Sequence, residues 1–162
     1  SIIEIAEIES IDIPQISKWL SNSQINCWLA EYWRRSVSPR NVAIVVKNKS
    51  NHWFVVKYKG EKCGIVALSD IEQEDKVAMI WYFVGKTDMN NKGMMSDAIG
   101  KVVNEAFNNL GLECLYAWIM EDNAPSQKVL EKNGFKVFGK LPSSVSVDGK
   151  TKDRIYMHLN KN

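Results

Sequence analysis

The middle of the chain changes its hydrophobic period, and that change restricts the fold more than any other feature. Trp53-Phe-Val-Val-Lys-Tyr58 and Cys63-Gly-Ile-Val-Ala-Leu68 are short apolar runs joined at Lys59-Gly-Glu61, which predicts a hairpin. A third run, Val77 to Val84, follows the acidic connection Asp70-Ile-Glu-Gln-Glu-Asp75, so the three should form an antiparallel meander. From Met95 the apolar positions become Met95, Ile99, Val102, Val103, Ala106, Phe107 and Leu110, the stripe of an amphipathic helix, and Gly111 stops it. Leu112 to Met120 then returns to a strand, and Pro125 to Lys132 reads as a short helix with Asn123 near its cap and Gly134 as its stop. Val137 to Val147 and Lys152 to Leu159 flank Asp148-Gly149, a type I′ turn signal, and close the chain as a β-hairpin.

Upstream, Ile2 to Ile8 alternates at period two and reads as an opening strand. Ile11 to Leu20 and Gln24 to Arg34 carry helical spacing, with start signals at Asp12-Ile-Pro14 and Ser21-Asn-Ser23. Ser38 to Lys49 stays open between two structures. Pro39 suits a first helical turn, whereas Val42-Ala-Ile-Val-Val46 is β-branched enough for a strand. The whole is an α/β sandwich on a mixed sheet. No linker, low-complexity stretch or internal repeat divides it, so residues 1–162 are expected to form a single domain.

Composition narrows the function. Lys plus Arg is 21 against 19 Asp plus Glu, a net charge of +2, which argues against a nucleic-acid or membrane-surface binder. No apolar run approaches the ~20 residues of a transmembrane helix. The opening Ser1-Ile-Ile-Glu-Ile-Ala-Glu-Ile-Glu-Ser10 lacks the basic stretch of a signal peptide. Cys27, Cys63 and Cys114 are odd in number, far apart and without a CxxC pair. A disulfide framework or zinc knuckle is therefore not expected, and a reducing cytoplasm fits best. Separately, no metal is expected, and the chain is expected to be a monomer or homodimer.

Two junctions can carry chemistry. Between Val84 and Asp97 the loop Asp88-Met-Asn-Asn-Lys-Gly-Met-Met-Ser-Asp97 feeds the long helix. A helix N-terminus presents unbonded N–H groups and the positive end of the dipole, which suits phosphate; Gly93 permits close backbone approach and Lys92 adds a cation. The same residues also suit an ordinary connection. In the second junction, Asn123-Ala-Pro-Ser-Gln-Lys-Val-Leu-Glu-Lys-Asn-Gly-Phe135, Asn123 and Ser126 sit three apart at a strand-to-helix boundary, as a simple cap also would.

Together, the order of elements, the Lys-Gly loop and Asn-x-x-Ser-x-x-x-Leu-Glu-Lys-x-Gly-Phe resemble the GCN5-related N-acetyltransferase (GNAT) family. The nearest branch is that of the ribosomal-protein alanine acetyltransferases typified by RimJ and RimL. The resemblance spans nearly the whole chain and implies a mostly antiparallel sheet flanked by helices, with acetyl-CoA as acyl donor. It places Asn91, Lys92, Gly93, Met94, Met95 and Ser96 around the donor pyrophosphate, Asn123 on the pantetheine arm, Ser126 at the leaving thiol, and the backbone of Tyr82, Phe83 and Val84 at the thioester carbonyl. The pattern is degenerate: Asn90 replaces the family's Arg/Gln, Met95 replaces a final Gly/Ala, and Leu130 stands where many members carry a proton-donating Tyr. The branch's strand carboxylate is also missing from Met79-Ile-Trp-Tyr82.

That loss bears on the acceptor. An alkyl amine of pKa near 10.4 costs about 4–5 kcal/mol to deprotonate at neutral pH, whereas an amine near 8 costs about 1–2 kcal/mol. The absent base thus favours a small amine of lowered basicity or an amino sugar. Asp70 is the candidate base among His52, His158, Glu72 and Glu121. Trp28, Tyr32 and Trp33 have the spacing to frame an acceptor, or simply to fill a core, and Arg34-Arg35 suits either an anionic acceptor or a helix end. The other functions the resemblance admits are a protein N-terminal acetyltransferase, an acyl-carrier-protein-dependent N-acyltransferase and a catalytically weak ligand-binding module.

Overall fold

The computed structural model describes residues 2–89 and 93–162. Seven strands form one sheet: β1 (Ile3–Glu7), β2 (His52–Tyr58), β3 (Glu61–Glu72), β4 (Val77–Val84), β5 (Cys114–Met120), β6 (Lys136–Val147) and β7 (Lys150–Asn160). Their spatial order is β1-β2-β3-β4-β5-β7-β6, and every neighbouring pair is antiparallel except β4 and β5. Helices α1 (Ile13–Leu20), α2 (Ser23–Asn26), α3 (Glu31–Arg35), α4 (Pro39–Lys47), α5 (Met94–Asn108) and α6 (Ala124–Lys132) flank it. The expected fold class is the observed one.

Two cores sit on opposite faces of the sheet. One gathers Val66, Leu68, Ala78, Ile80, Leu115, Ala117 and Met157 under the α5 stripe of Met95, Ile99, Val102 and Ala106. The other packs Trp53, Val55, Ile65, Ala67 and Phe83 against Ile16, Leu20, Trp33 and Val42 of the N-terminal helices. Alternate residues of β2, β3 and β4 serve the two faces, as a pleated strand requires. This double burial explains the unbroken apolar runs from Trp53 to Val56 and from Ile65 to Leu68, where a strand with one solvated face would alternate.

Three local expectations change. Gln24 to Arg34 is not one helix: Ala30 is extended (φ −56, ψ 151) and separates α2 from α3. The open segment resolves as helix α4, because Ser38 caps the Asn41 N–H at 3.2 Å, Pro39 occupies the first turn and Val42 is fully buried. Strand β3 continues through Asp70 to Glu72 across a register shift between Ser69 and Glu72, into what reads in the sequence as an acidic connection.

The feature that shapes the site is where β4 and β5 part. Their parallel pairing is confined to Val77–Cys114, Ala78–Leu115 and Met79–Tyr116. Beyond it β4 stays bonded to β3 as far as Val84, and β5 stays bonded to β7 as far as Met120. The sheet therefore opens into two halves at residues 80–84 and 117–120.

Candidate active site

A cavity of about 700 Å³ runs through this opening, within the size range of small-molecule sites. Its walls come from β4 (Ile80 to Val84), β5 (Ala117 to Ile119), the first turns of α5 and α6, and the α2–α3 segment. It thus connects the two faces of the sheet.

On the α5/α6 side, Asn123 ends the loop after β5 and its Oδ1 accepts the Ser126 N–H at 3.4 Å, with Pro125 in the first turn of α6. This cap fixes Ser126 at the mouth of the opening. The Tyr82 hydroxyl, projecting from β4, hydrogen-bonds Ser126 Oγ, a contact in which either oxygen can donate, and lies 3.3 Å from the Ser126 carbonyl oxygen. Burial pushes the Tyr82 hydroxyl up to about 12, the bond to Ser126 acting in the opposite direction. Tyr82 is therefore a neutral phenol near neutral pH.

Gly93 caps α5 from the left-handed region (φ 67), a conformation that favours glycine. Asn133, at the end of α6, donates through Nδ2 to Ser96 O at 3.1 Å and to Val129 O at 3.0 Å, which ties the start of α5 to α6. Met95 is accommodated by another residue's smallness. Its Cε lies 3.4 Å from the position a Cβ on Gly64 would take, and that Cβ would also stand 2.6 Å from the Phe83 carbonyl oxygen. Gly64 thus opens the floor that Met95 covers, and Met94 packs its sulfur at 3.2 Å from Cys63 Sγ.

The other side is built from tryptophans. Trp81 stacks on Trp33 with centroids 5.3 Å apart and meets Trp53 edge-on at 5.1 Å; its Nε1 donates to Ser69 Oγ at 2.8 Å. Trp28 stands at the rim with the Lys152 ammonium 4.9 Å from its ring centre. Trp118, alternating with the α5-facing Ala117 and Ile119, lies under the Arg154 guanidinium at 4.2 Å.

The structure brings together most of the predicted site residues. Tyr82, Phe83, Val84, Gly93, Met94, Met95, Ser96, Asn123, Ser126, Trp28 and Trp33 all line the cavity. Asn91 and Lys92, with Asn90, lie outside the described residues. Two expectations are corrected. Asp70 does not line the cavity: it sits exposed at the β3 register shift (φ 52), its N–H donating to Asn51 Oδ1 at 3.4 Å. Tyr32 also faces away, 44% exposed and edge-on to Trp33, because the break at Ala30 rotates α3 relative to α2. Among the other base candidates, His52 pairs with Glu7, His158 with Asn160, and Glu121 accepts the Asp153 N–H. Sequence reasoning missed the lining residues Gln24, Trp81, Trp118, Lys128 and Lys132. The two tryptophans lie on strands that are apolar throughout, so the sequence carried no alternation to mark their face. Among the described residues, no Asp or Glu lines the cavity.

The family model described as the acetyltransferase (GNAT) domain matches residues 3–136. The chain belongs to the GNAT family. It is 31% identical over 104 residues to YdaF of Bacillus subtilis (strain 168); the match takes in 64% of this chain and 56% of YdaF, so this chain spans little more than half of that relative's length. Among solved structures of the GNAT fold, spermidine N-acetyltransferase from Vibrio cholerae, determined with CoA and spermine, superposes with a TM-score of 0.89 at 19% identity, covering 99% of this chain and 96% of that one. RimL, a ribosomal L7/L12 alpha-N-protein acetyltransferase determined with coenzyme A, gives a TM-score of 0.84 at 15% identity over 99% and 94%. At these identities the likeness to both structures is one of fold.

Proposed function

We propose that this chain is an N-acetyltransferase that passes the acetyl group of acetyl-CoA to a small primary amine of lowered basicity, by direct attack on the thioester. The observation that carries the reading is the opening between β4 and β5, with Ser126 held at its mouth and a cavity on both sides of the sheet. A narrow acyl-pantetheine arm suits the opening. The α5 N-terminus, with Gly93 as its cap, suits the phosphates, and Lys128 and Lys132 on the cavity wall add positive charge.

Each group then has a task. The β4 backbone between Ile80 and Val84, unpaired toward β5, offers N–H groups to polarise the thioester carbonyl. Holding amine and thioester together in a cavity supplies much of the acceleration. With Tyr82 as donor to Ser126 Oγ, the serine keeps its own proton and can direct it toward the departing sulfur. A thiol of pKa about 8.5 needs little more than this hydrogen bond. With no carboxylate on the cavity wall among the described residues, the amine's own low basicity takes the place of a strong base.

Thermal unfolding and thiol release test the reading. Acetyl-CoA at 100 times its Kd should stabilise by about 2.7 kcal/mol, raising Tm by about 5–10 °C. Adding amines should then release free thiol. Ser126→Ala should lower kcat by about 10²-fold while leaving the acetyl-CoA shift in place. Stabilisation without release from any amine would identify a binding module instead, and indifference to every CoA ester would remove the proposal altogether.

A further inference from the structure

The acceptor side of the cavity differs in chemistry from what a polyamine or a sugar needs. Its wall is Ile25, Trp28, Leu29, Trp33, Trp81 and Trp118, with Gln24 the polar side chain among them. A polyamine carries several ammonium groups, and each must find an anion or keep its water. No carboxylate faces the cavity among the described residues, and Asp122 beside the α6 start is already paired with Lys152 at 2.8 Å. That same Lys152 lies over the Trp28 ring, so the rim presents a neutralised ion pair rather than a free carboxylate. A sugar ring can stack on tryptophan, but its hydroxyls need several directional partners. The indole N–H of Trp81 is committed to Ser69, and Gln24 is the one amide side chain on this wall among the described residues, a sparse set for several hydroxyls.

Trp28 and Trp118 each carry a cation near the ring and Trp81 stacks on Trp33; the ring surface left toward the cavity fits an apolar side chain. We infer that the acceptor is an α-amino group of lowered basicity joined to a bulky apolar or aromatic side chain, which lodges among Trp28, Trp33, Trp81 and Trp118. An adjacent carbonyl makes such an amine weakly basic, near the α-amino range of about 8, so a useful fraction is neutral without a protein base. The inference rests on the acetyltransferase reading given above. The step itself is balanced: the neutral nitrogen forms the amide bond as the carbon–sulfur bond breaks, the sulfur leaves with the thioester electron pair, and one proton passes from the nitrogen to the thiol.

The chemistry can come from a free α-amino amide or from the first residue of a peptide. Thiol release would be followed with acetyl-CoA and, in parallel, phenylalaninamide, a tripeptide beginning with Phe, glucosamine and spermidine. Phenylalaninamide is expected to give kcat/KM at least about tenfold above glucosamine and spermidine, a difference of about 1.4 kcal/mol. Comparable turnover of the tripeptide would point to peptide N-termini as the source; turnover of the amide alone would point to small molecules. Trp28→Ala, at a rim position 38% exposed and thus remote from the packed core, should cut kcat/KM for phenylalaninamide at least fivefold, with Trp28→Phe restoring most of it and the acetyl-CoA thermal shift unchanged in both. Spermidine or glucosamine matching phenylalaninamide, or indifference to Trp28→Ala, would overturn the inference while leaving the acetyltransferase reading standing. Thiol release from no amine at all would remove both.

Discussion

Tyr82 shows how one partly buried side chain links stability to the site. Its hydroxyl is protonated in folded and unfolded chains below its ordinary value of 10, but between 10 and about 12 only the folded chain keeps the proton. Burial of the neutral phenol therefore contributes stability that is complete below pH ~10 and is lost as pH rises toward ~12. Urea unfolding at about pH 9 and about pH 11 should show the wild type losing more stability over that interval than Tyr82→Phe. Equal losses would mean that the phenol is not buried as the structure has it. The serine of the pair was legible in the sequence through its place three residues after Asn123. Its partner was not, because Tyr82 lies 44 positions away and meets Ser126 only once β4 and α6 converge. Asp70 fails at the same scale: its carboxylate type suited a base, but a strand bulge turned it outward.

Elements decide whether the cavity has room. Met95 occupies a place in α5 where the family pattern has a small residue, and the compensation lies on strand β3, at Gly64. A Cβ there would lie 2.6 Å from the Phe83 carbonyl oxygen, which is backbone and cannot rotate away. Gly64→Ala should therefore push β3 from β4 and cost about 1–3 kcal/mol, read as a fall in Tm, with weakened acetyl-CoA binding because Met95 must move into the cavity. An unchanged Tm would show that the strands yield freely. Helix identity was partly readable. The α5 stripe and the α6 cap were legible because local spacing and capping specify them. The division of residues 23–35 was not, since the extended Ala30 has no breaker residue and is held by Trp33 packing on Trp53 and Trp81.

At the scale of the molecule, the sheet holds the two cores together despite its opening. Strands β2, β3 and β4 bury one face under α5 and the other under α1 to α4, so neither helical layer has a complete core alone. The chain is thus expected to unfold as one cooperative unit, with calorimetric and van't Hoff enthalpies in agreement. Two resolved transitions would show that the N-terminal helices melt apart from the sheet. The hairpin of β6 and β7 reaches across to the N-terminal layer, where the Arg34 guanidinium donates to Ser146 O at 2.9 Å and Lys152 covers Trp28. These contacts join chain segments more than a hundred residues apart at the cavity rim.

By itself the amino-acid sequence determined most of the alternation of strands and helices, the caps, the family and the location of the two strand-to-helix junctions, because each rests on spacing between near neighbours or on a contiguous motif. Only the tertiary structure decided which tryptophans line the cavity, that its wall has no carboxylate among the described residues, and that Gly64 makes space for Met95. Those properties come from which strands lie side by side and where two of them separate, and the packing that settles this is made between residues far apart along the chain.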